Sequence, residues 1–252
     1  DVLGSRGLGD VYKRQLCILN SRKKVQQIFN EIKELEGTYH LSTFMYPRHR
    51  KKVLAEIRNR LKMGLPCRLI ATSLVEAGVD FDFPTVFREM AGVDSMIQAA
   101  GRCNREGKRA KEDCVTTIFT LENAEELHIP QSLRLPVSVA QQVAEKQEDI
   151  ASLEAIADYF NRLYHFRGES LDSKKIIEQM EAGGKSFLFP FTMVAEQFRL
   201  IENNTRTILI DRNPEAEILV KRLRRGECSR QLIRDIGHCL LYTSPSPRDP
   251  KT

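Results

Sequence analysis

No apolar run in these 252 residues approaches the roughly 20 needed to cross a bilayer, and the N-terminal stretch has no signal-peptide apolar core. No membrane association is expected, and a cytoplasmic location follows by default. The six cysteines, at 17, 67, 103, 114, 228 and 239, form no C-x-x-C pair, and no histidine stands from them at zinc-finger spacing. They read as reduced, mostly buried thiols, and no metal site is expected. None of the five histidines precedes an aspartate, no Asp-Glu dipeptide occurs, and no G-x-x-x-x-G-K-[ST] phosphate loop is found. Gly183-Gly184-Lys185-Ser186 imitates the end of such a loop, but the position five before Gly184 is Gln179 and an aromatic run follows. These absences exclude a nucleotide hydrolase complete within this sequence.

What is present is a globular composition: 41% hydrophobic residues, enough for a core, and 29% charged residues with a formal charge of +5. Such mild basicity is compatible with a polyanionic partner without establishing one. Both ends look foreign to the fold. Residues 1–15, and residues 239–252 with Ser244-Pro245-Ser246-Pro247, resemble translated sequencing-adaptor ends, so the chain is expected to be a gene fragment with a native part of 16–238.

Within that part, strands and helices alternate. Leu16-Cys17-Ile18-Leu19 is a strand, and Val25, Ile28, Phe29, Ile32 and Leu35 recur at helical spacing up to Gly37. Thr38 to Ser42 is a second strand, and Pro47 opens a helix with the stripe Val53, Leu54, Ile57 and Leu61. Cys67 to Ala71, Thr85 to Met90 and Cys114 to Thr120 complete the strands. This alternation predicts an α/β fold whose mostly parallel sheet is flanked by helices on both faces.

In such sheets the chemistry sits in the loops after the strands. Ser21 follows the first strand, Ser42 the second, and Thr72-Ser73 with Gly78 and Asp80 the third. Hydroxyls and amides at helix starts are ready phosphate ligands, although Ser21 on its own spacing reads first as a plain N-cap. Asp80 and Asp82 either accept a ribose hydroxyl or cap a turn. The stretch Asp94 to Glu106 predicts a helix capped by Asp94, on which Gln98, Arg102 and Arg105 share one face at i, i+4 and i+7. That face is either a phosphate-facing surface or a solvated basic helix. Gly101, mid-helix, predicts close approach of another backbone or a ligand.

Thr72 to Asp80 followed by Gln98-Ala99-Ala100-Gly101-Arg102-Cys103-Asn104-Arg105 resembles motifs V and VI of superfamily 2 helicases, and Cys17 to Ser21 resembles motif IV. The wording of Ser73 to Pro84 and of His40 to Arg50 is most similar to the CRISPR-associated helicase-nuclease of type I interference systems. The resemblance implies a second RecA-like domain over 16–123, followed by a linker and partial, mainly helical accessory domain over 124–238. It implies ATP and Mg²⁺ as cofactors shared with a first RecA-like domain, single-stranded DNA as partner, and recruitment by a CRISPR surveillance complex. By position, Arg105 would be the arginine finger, Arg102 a second phosphate contact, and Gln98 a partner of the γ-phosphate or water. Asp80, in the loop with Gly78, would contact the ribose, with Gly101 beside the phosphates. Ser21, Ser42, Thr72 and Ser73 would hold the DNA backbone. Two readings stay open beside it: another superfamily 2 DNA or RNA helicase, and a non-catalytic nucleic-acid-binding α/β module.

Beyond residue 124, Pro130 and Pro136 predict a linker and Ser138 a helix cap. An apolar stripe runs from Ile150 to Tyr164. The aromatic run Phe187 to Phe191 is expected in a core, with base stacking as the alternative. Thr205 to Ile210 reads as a strand. Lys221 to Arg225 ends a helix, where cations suit the dipole or a DNA patch.

Overall fold

A computed structural model describes residues 13–43, 45–121, 129–186, 188–198 and 214–240. The strands are β1 (Arg14–Leu19), β2 (Thr38–Leu41), β3 (Cys67–Thr72), β4 (Thr85–Glu89) and β5 (Val115–Phe119). They form one sheet in the order β2-β3-β1-β4-β5, with every pairing parallel. β1 takes in Arg14 and Gln15, in register with Cys67 and Arg68, so the sheet starts two residues before the segment assigned to it from sequence.

Side chains alternate across a strand, and here both faces are covered. Leu16, Ile18, Leu69, Ala71 and Val86 pack on one face with Val53 and Ile57 of α2 (Pro47–Lys62) and with Val79, Phe81 and Phe83. Cys17, Leu19 and Ile70 pack on the other with Val25 of α1 (Arg22–Ile32). Two buried faces leave no polar alternation, and this is why β1 and β3 read as unbroken apolar runs. Burial also pushes the thiols of Cys17 and Cys67 up to about 12.

The helix α3 spans Val93–Ala100, much less than Asp94 to Glu106. Gly92, not Asp94, is its N-cap, because Asp94 Oδ1 accepts from the Tyr159 hydroxyl at 3.2 Å; a Cβ on Gly92 would collide with both groups. Gly101 is its C-cap, and a Cβ there would meet only the Gln98 and Ile97 carbonyls of its own turn, at 3.4 and 3.6 Å. Gly101 thus ends a helix; no other backbone crowds it.

The chain divides into two compact units, Asp1–Leu163 and Tyr164–Thr252. In the first, α4 (Gln131–Ala144) and the start of α5 (Leu153–Arg167) bury Val139, Ala140, Val143, Ala155 and Tyr159 against Ala91, Val93 and Met96 of the α3 region. The expected boundary at 123 and 124 therefore falls within this unit. Pro136 lies inside α4 rather than in a linker, and Ser138 is mid-helix rather than a cap. Only the bond from residue 136 to the Ser132 carbonyl is forgone there.

In the second unit α6 (Ile176–Ser186) is capped by Asp172, whose carboxylate accepts from Ile176 N at 2.7 Å and Ile177 N at 2.8 Å. Gly183 and Gly184 sit near the end of this helix, whereas a phosphate loop precedes one. α7 (Phe191–Gln197) follows, and Phe189 and Phe191 stack at 5.5 Å while remaining exposed, contrary to the expected core packing. In α8 (Pro214–Arg224), Glu215 and Glu217 open the helix and Lys221, Arg222 and Arg224 close it, as the dipole favours. The last helix is α9 (Arg230–Leu240). The strand expected over Thr205 to Ile210 lies outside the described residues.

Candidate nucleotide and nucleic-acid site

The register places the hydroxyl-bearing loops together. Leu19 pairs with Thr72 and Leu41 with Ala71, so Ser21, Ser42, Thr72 and Ser73 all lie at the carboxyl edge of three adjacent strands. Ser42 and Thr72 are buried, Ser21 is half-buried and Ser73 is exposed. Ser21 occupies the N-cap position of α1 yet makes no side-chain cap bond. Arg22 Nη1 lies 3.4 Å from Thr43 Oγ1, which joins the loops after β1 and β2.

From Thr72 the chain turns back over the sheet. The 3-10 turn Ser73–Val75 is followed by Gly78, at φ +72° in open space, and by Asp80. The segment after α3 runs alongside: Phe83 N donates to Arg102 O at 2.9 Å and Asn104 N to Phe83 O at 3.0 Å. This strand-like pairing draws residues 102–104 out of helix, so Gln98, Arg102 and Arg105 do not share a helical face. Gln98 is exposed on α3. Arg102 is 7% exposed; its Nε donates to Val75 O at 3.0 Å and its Nη2 to Glu76 O. A guanidinium committed to two buried carbonyls is a brace for the loop after β3, not a surface group awaiting phosphate. Arg105 is at the surface, its Nη2 2.6 Å from Asp80 Oδ1, with side-chain exposures of 40% and 82%. Beside them Arg109 grips Asp82 with bonds of 2.9 and 3.0 Å. A cleft of about 450 Å³ lies between Arg58, Lys62, Asp80, Asp82, Lys108 and Arg109.

A second set of charges is not evident from the sequence. The strand order reverses between β1 and β4, the position where open α/β sheets commonly admit ligands. Here the protein's own side chains fill it. Alternation along β4 sends Arg88 and Glu89 to opposite faces: Glu89 meets Lys24 of α1 at 2.6 Å, and Arg88 Nε meets Glu76 Oε1 at 2.8 Å. Asn20 ties the two pairs, accepting from Arg88 Nη1 at 2.7 Å and donating its backbone N–H to Glu89 Oε2 at 2.7 Å. Ser95 of α3 donates to Glu76 at 3.0 Å. Burial pushes the Glu76 carboxyl up, against the pull of Arg88 and Ser95, and pushes the Arg88 guanidinium down. The signal for this set is the adjacent pair Arg88-Glu89 inside a buried strand, since charges are rarely buried unless paired.

Among the described residues no three His, Cys, Asp or Glu side chains come close enough to hold a metal ion, and no helix is long and apolar enough to cross a membrane. Residues 12–108 match a family model described as "CRISPR-associated nuclease/helicase Cas3, C-terminal". A Cas3 nuclease/helicase of Haloferax volcanii is 28% identical over 193 residues, covering 64% of this chain and 20% of that protein. One from Methanothermobacter thermautotrophicus is 27% identical over 110 residues, covering 43% and 13%. The chain thus spans a fifth or less of the curated Cas3 relatives it matches. A crystal structure of T. fusca Cas3-ATP covers 69% of this chain and 22% of its own, at 18% identity and a TM-score of 0.48.

Proposed function

We propose that this chain supplies the second RecA-like half of an ATP-driven motor that moves along single-stranded DNA, within a CRISPR-associated helicase-nuclease recruited by a surveillance complex. The observation that carries the reading is the Arg105–Asp80 pair: a guanidinium and a carboxylate at the surface beside a cleft, on loops braced from below by Arg102. An exposed ion pair is worth no more than about 1 kcal/mol, so Arg105 can leave Asp80 for a phosphate at little cost. Phosphoryl transfer needs fixed positive charge where the transferred and leaving oxygens accumulate negative charge, and a guanidinium offers it without losing a proton. Asp80, once released, is free to accept a ribose hydroxyl, with Gly78 in open space two residues before it; Gln98 is exposed to reach the γ-phosphate or its water.

Bound ATP supplies the phosphoryl group, and Mg²⁺ would neutralise its oxygens. The sequence has no G-x-x-x-x-G-K-[ST] loop and no Asp-Glu dipeptide, so in this reading the phosphate loop and metal ligands come from another RecA-like domain. Ser21, Ser42, Thr72 and Ser73 hold the DNA backbone, contacts that carry no base sequence and so suit a motor that must grip every step.

The test is Arg105→Ala in a full-length protein carrying this segment. DNA-stimulated ATP hydrolysis falls by about a thousandfold or more, the usual scale for an arginine finger, while single-stranded DNA binding persists. Wild-type turnover in that variant would remove Arg105 from the site.

A further inference from the structure

The loop that carries Arg105 is closed by the side chain of the residue before it. Asn104 stands at φ +51°, in the left-handed region where asparagine is among the few side chains tolerated. Its carbonyl accepts from Gly107 N at 2.9 Å, which bends residues 104–107 into a turn with Arg105 second, and Gly107 is itself at φ +63°. The Asn104 amide spans the mouth of the loop: Nδ2 donates to Arg109 O at 2.8 Å, and Oδ1 accepts from Arg109 N at 3.0 Å. One side chain thus takes both main-chain groups of Arg109, as a neighbouring strand would. The loop is also anchored from outside. Asn104 N donates to Phe83 O at 3.0 Å, and the Arg109 guanidinium holds both oxygens of Asp82. Between these anchors residues 105–108 are exposed.

We propose that Asn104 is a positioning residue for Arg105: its side-chain amide holds the turn in the shape that delivers the guanidinium to the γ-phosphate once the pair with Asp80 opens. The role of Arg105 itself rests on the proposed motor function. The need for such a clamp follows from arginine's own chemistry. Its side chain is long and rich in rotamers, so after it leaves Asp80 a fixed backbone is what narrows its reach. A misplacement of about 1 Å costs about a hundredfold in rate. Glycine at this position would supply the backbone conformation alone, aspartate an acceptor without a donor, and glutamine an amide one methylene further out. Asparagine meets both demands.

The experiment places Asn104→Gly in a full-length protein carrying this segment, with and without Arg105→Ala, and measures DNA-stimulated ATP hydrolysis at high enzyme concentration. Glycine keeps the positive φ and removes the two amide bonds. In otherwise wild-type protein kcat falls by about a hundredfold. The KM for ATP and single-stranded DNA binding stay at their wild-type values, since the interaction lost is one made in the transition state. In the Arg105→Ala protein the same substitution changes nothing further, because residues that act as a unit are not additive. Equal losses in both backgrounds would make Asn104 a structural residue acting independently of Arg105 and overturn the inference. Wild-type turnover in Asn104→Gly overturns it too, and either result leaves the motor function standing. Wild-type turnover in Arg105→Ala overturns both. Where Asn104→Gly does not fold, Asn104→Asp, which keeps the bond from Arg109 N and loses the one to Arg109 O, goes through the same comparison and is read by the same outcomes.

Discussion

Three arginine–carboxylate pairs tie the loop after β3 to later segments of the chain, and two of them, Arg88–Glu76 and Arg105–Asp80, stand at opposite extremes of burial. Arg88–Glu76 is closed at 2.8 Å with exposures of 2% and 5%; Arg105–Asp80 is closed at 2.6 Å with exposures of 40% and 82%. The distances are alike and the energetics are not. In the buried pair each charge has given up its water, so removing one partner strands the other in a low-dielectric site. In the exposed pair water replaces either partner, so opening it costs little. The first suits a fixed joint and the second a group that must change partners during a reaction cycle. Arg102 belongs with the first kind, although its spacing in the sequence groups it with Arg105.

The comparison can be broken at either end. Arg88→Met has the largest expected effect on folding, a loss of about 3–5 kcal/mol in urea unfolding, because Glu76 is left buried beside an apolar side chain. A loss below about 1 kcal/mol, the scale of an exposed pair, would make the two pairs equivalent.

Acidity sharpens the same contrast. Glu76 has its folded pKa raised above 4.5, chiefly by burial. The folded state therefore binds this proton more tightly than the unfolded chain does. The stabilisation this gives is complete below the unfolded value and is lost as pH rises through the folded one. Glu76→Gln removes that decline. Between pH 4.5 and neutrality, urea midpoints of the wild type should fall relative to those of the variant. A relative rise would mean that the pull of Arg88 outweighs burial.

Asp80→Asn should have the smallest effect, a change in unfolding free energy within about 0.5 kcal/mol at any of these pH values. A larger loss would show that the exposed pair is structural after all, and would weaken Arg105 as a group free to move.

How much of the fold and the site is legible in the sequence depends on the range of the interactions involved. All five strands and the first two helices can be placed within a few residues, because apolar periodicity is local. So can the clustering of Ser21, Ser42 and Thr72 at one edge, which parallel βα order enforces. The helix expected through Arg102 and Arg105 stops short for a non-local reason: Phe83, some twenty residues upstream, offers its backbone to Arg102 and Asn104 and ends the helix at Ala100. Pro136 sits in a helix rather than a linker because the apolar contacts of Val139, Ala140 and Val143 outweigh one missing backbone bond. Arg88 and Glu89 stand out as adjacent charges within a strand, but their partners Glu76 and Lys24 cannot be read from the sequence, since they lie in other elements.

By itself, then, the order of residues determined the βα alternation, the hydroxyl-bearing edge and the pair of motifs that carry the family resemblance, since each depends on neighbours along the chain. Tertiary structure decided which arginine is a buried brace and which stands at the surface paired with Asp80. Burial is set by whatever packs against a residue from elsewhere in the chain, and burial is what separates a structural charge from one free to meet a phosphate.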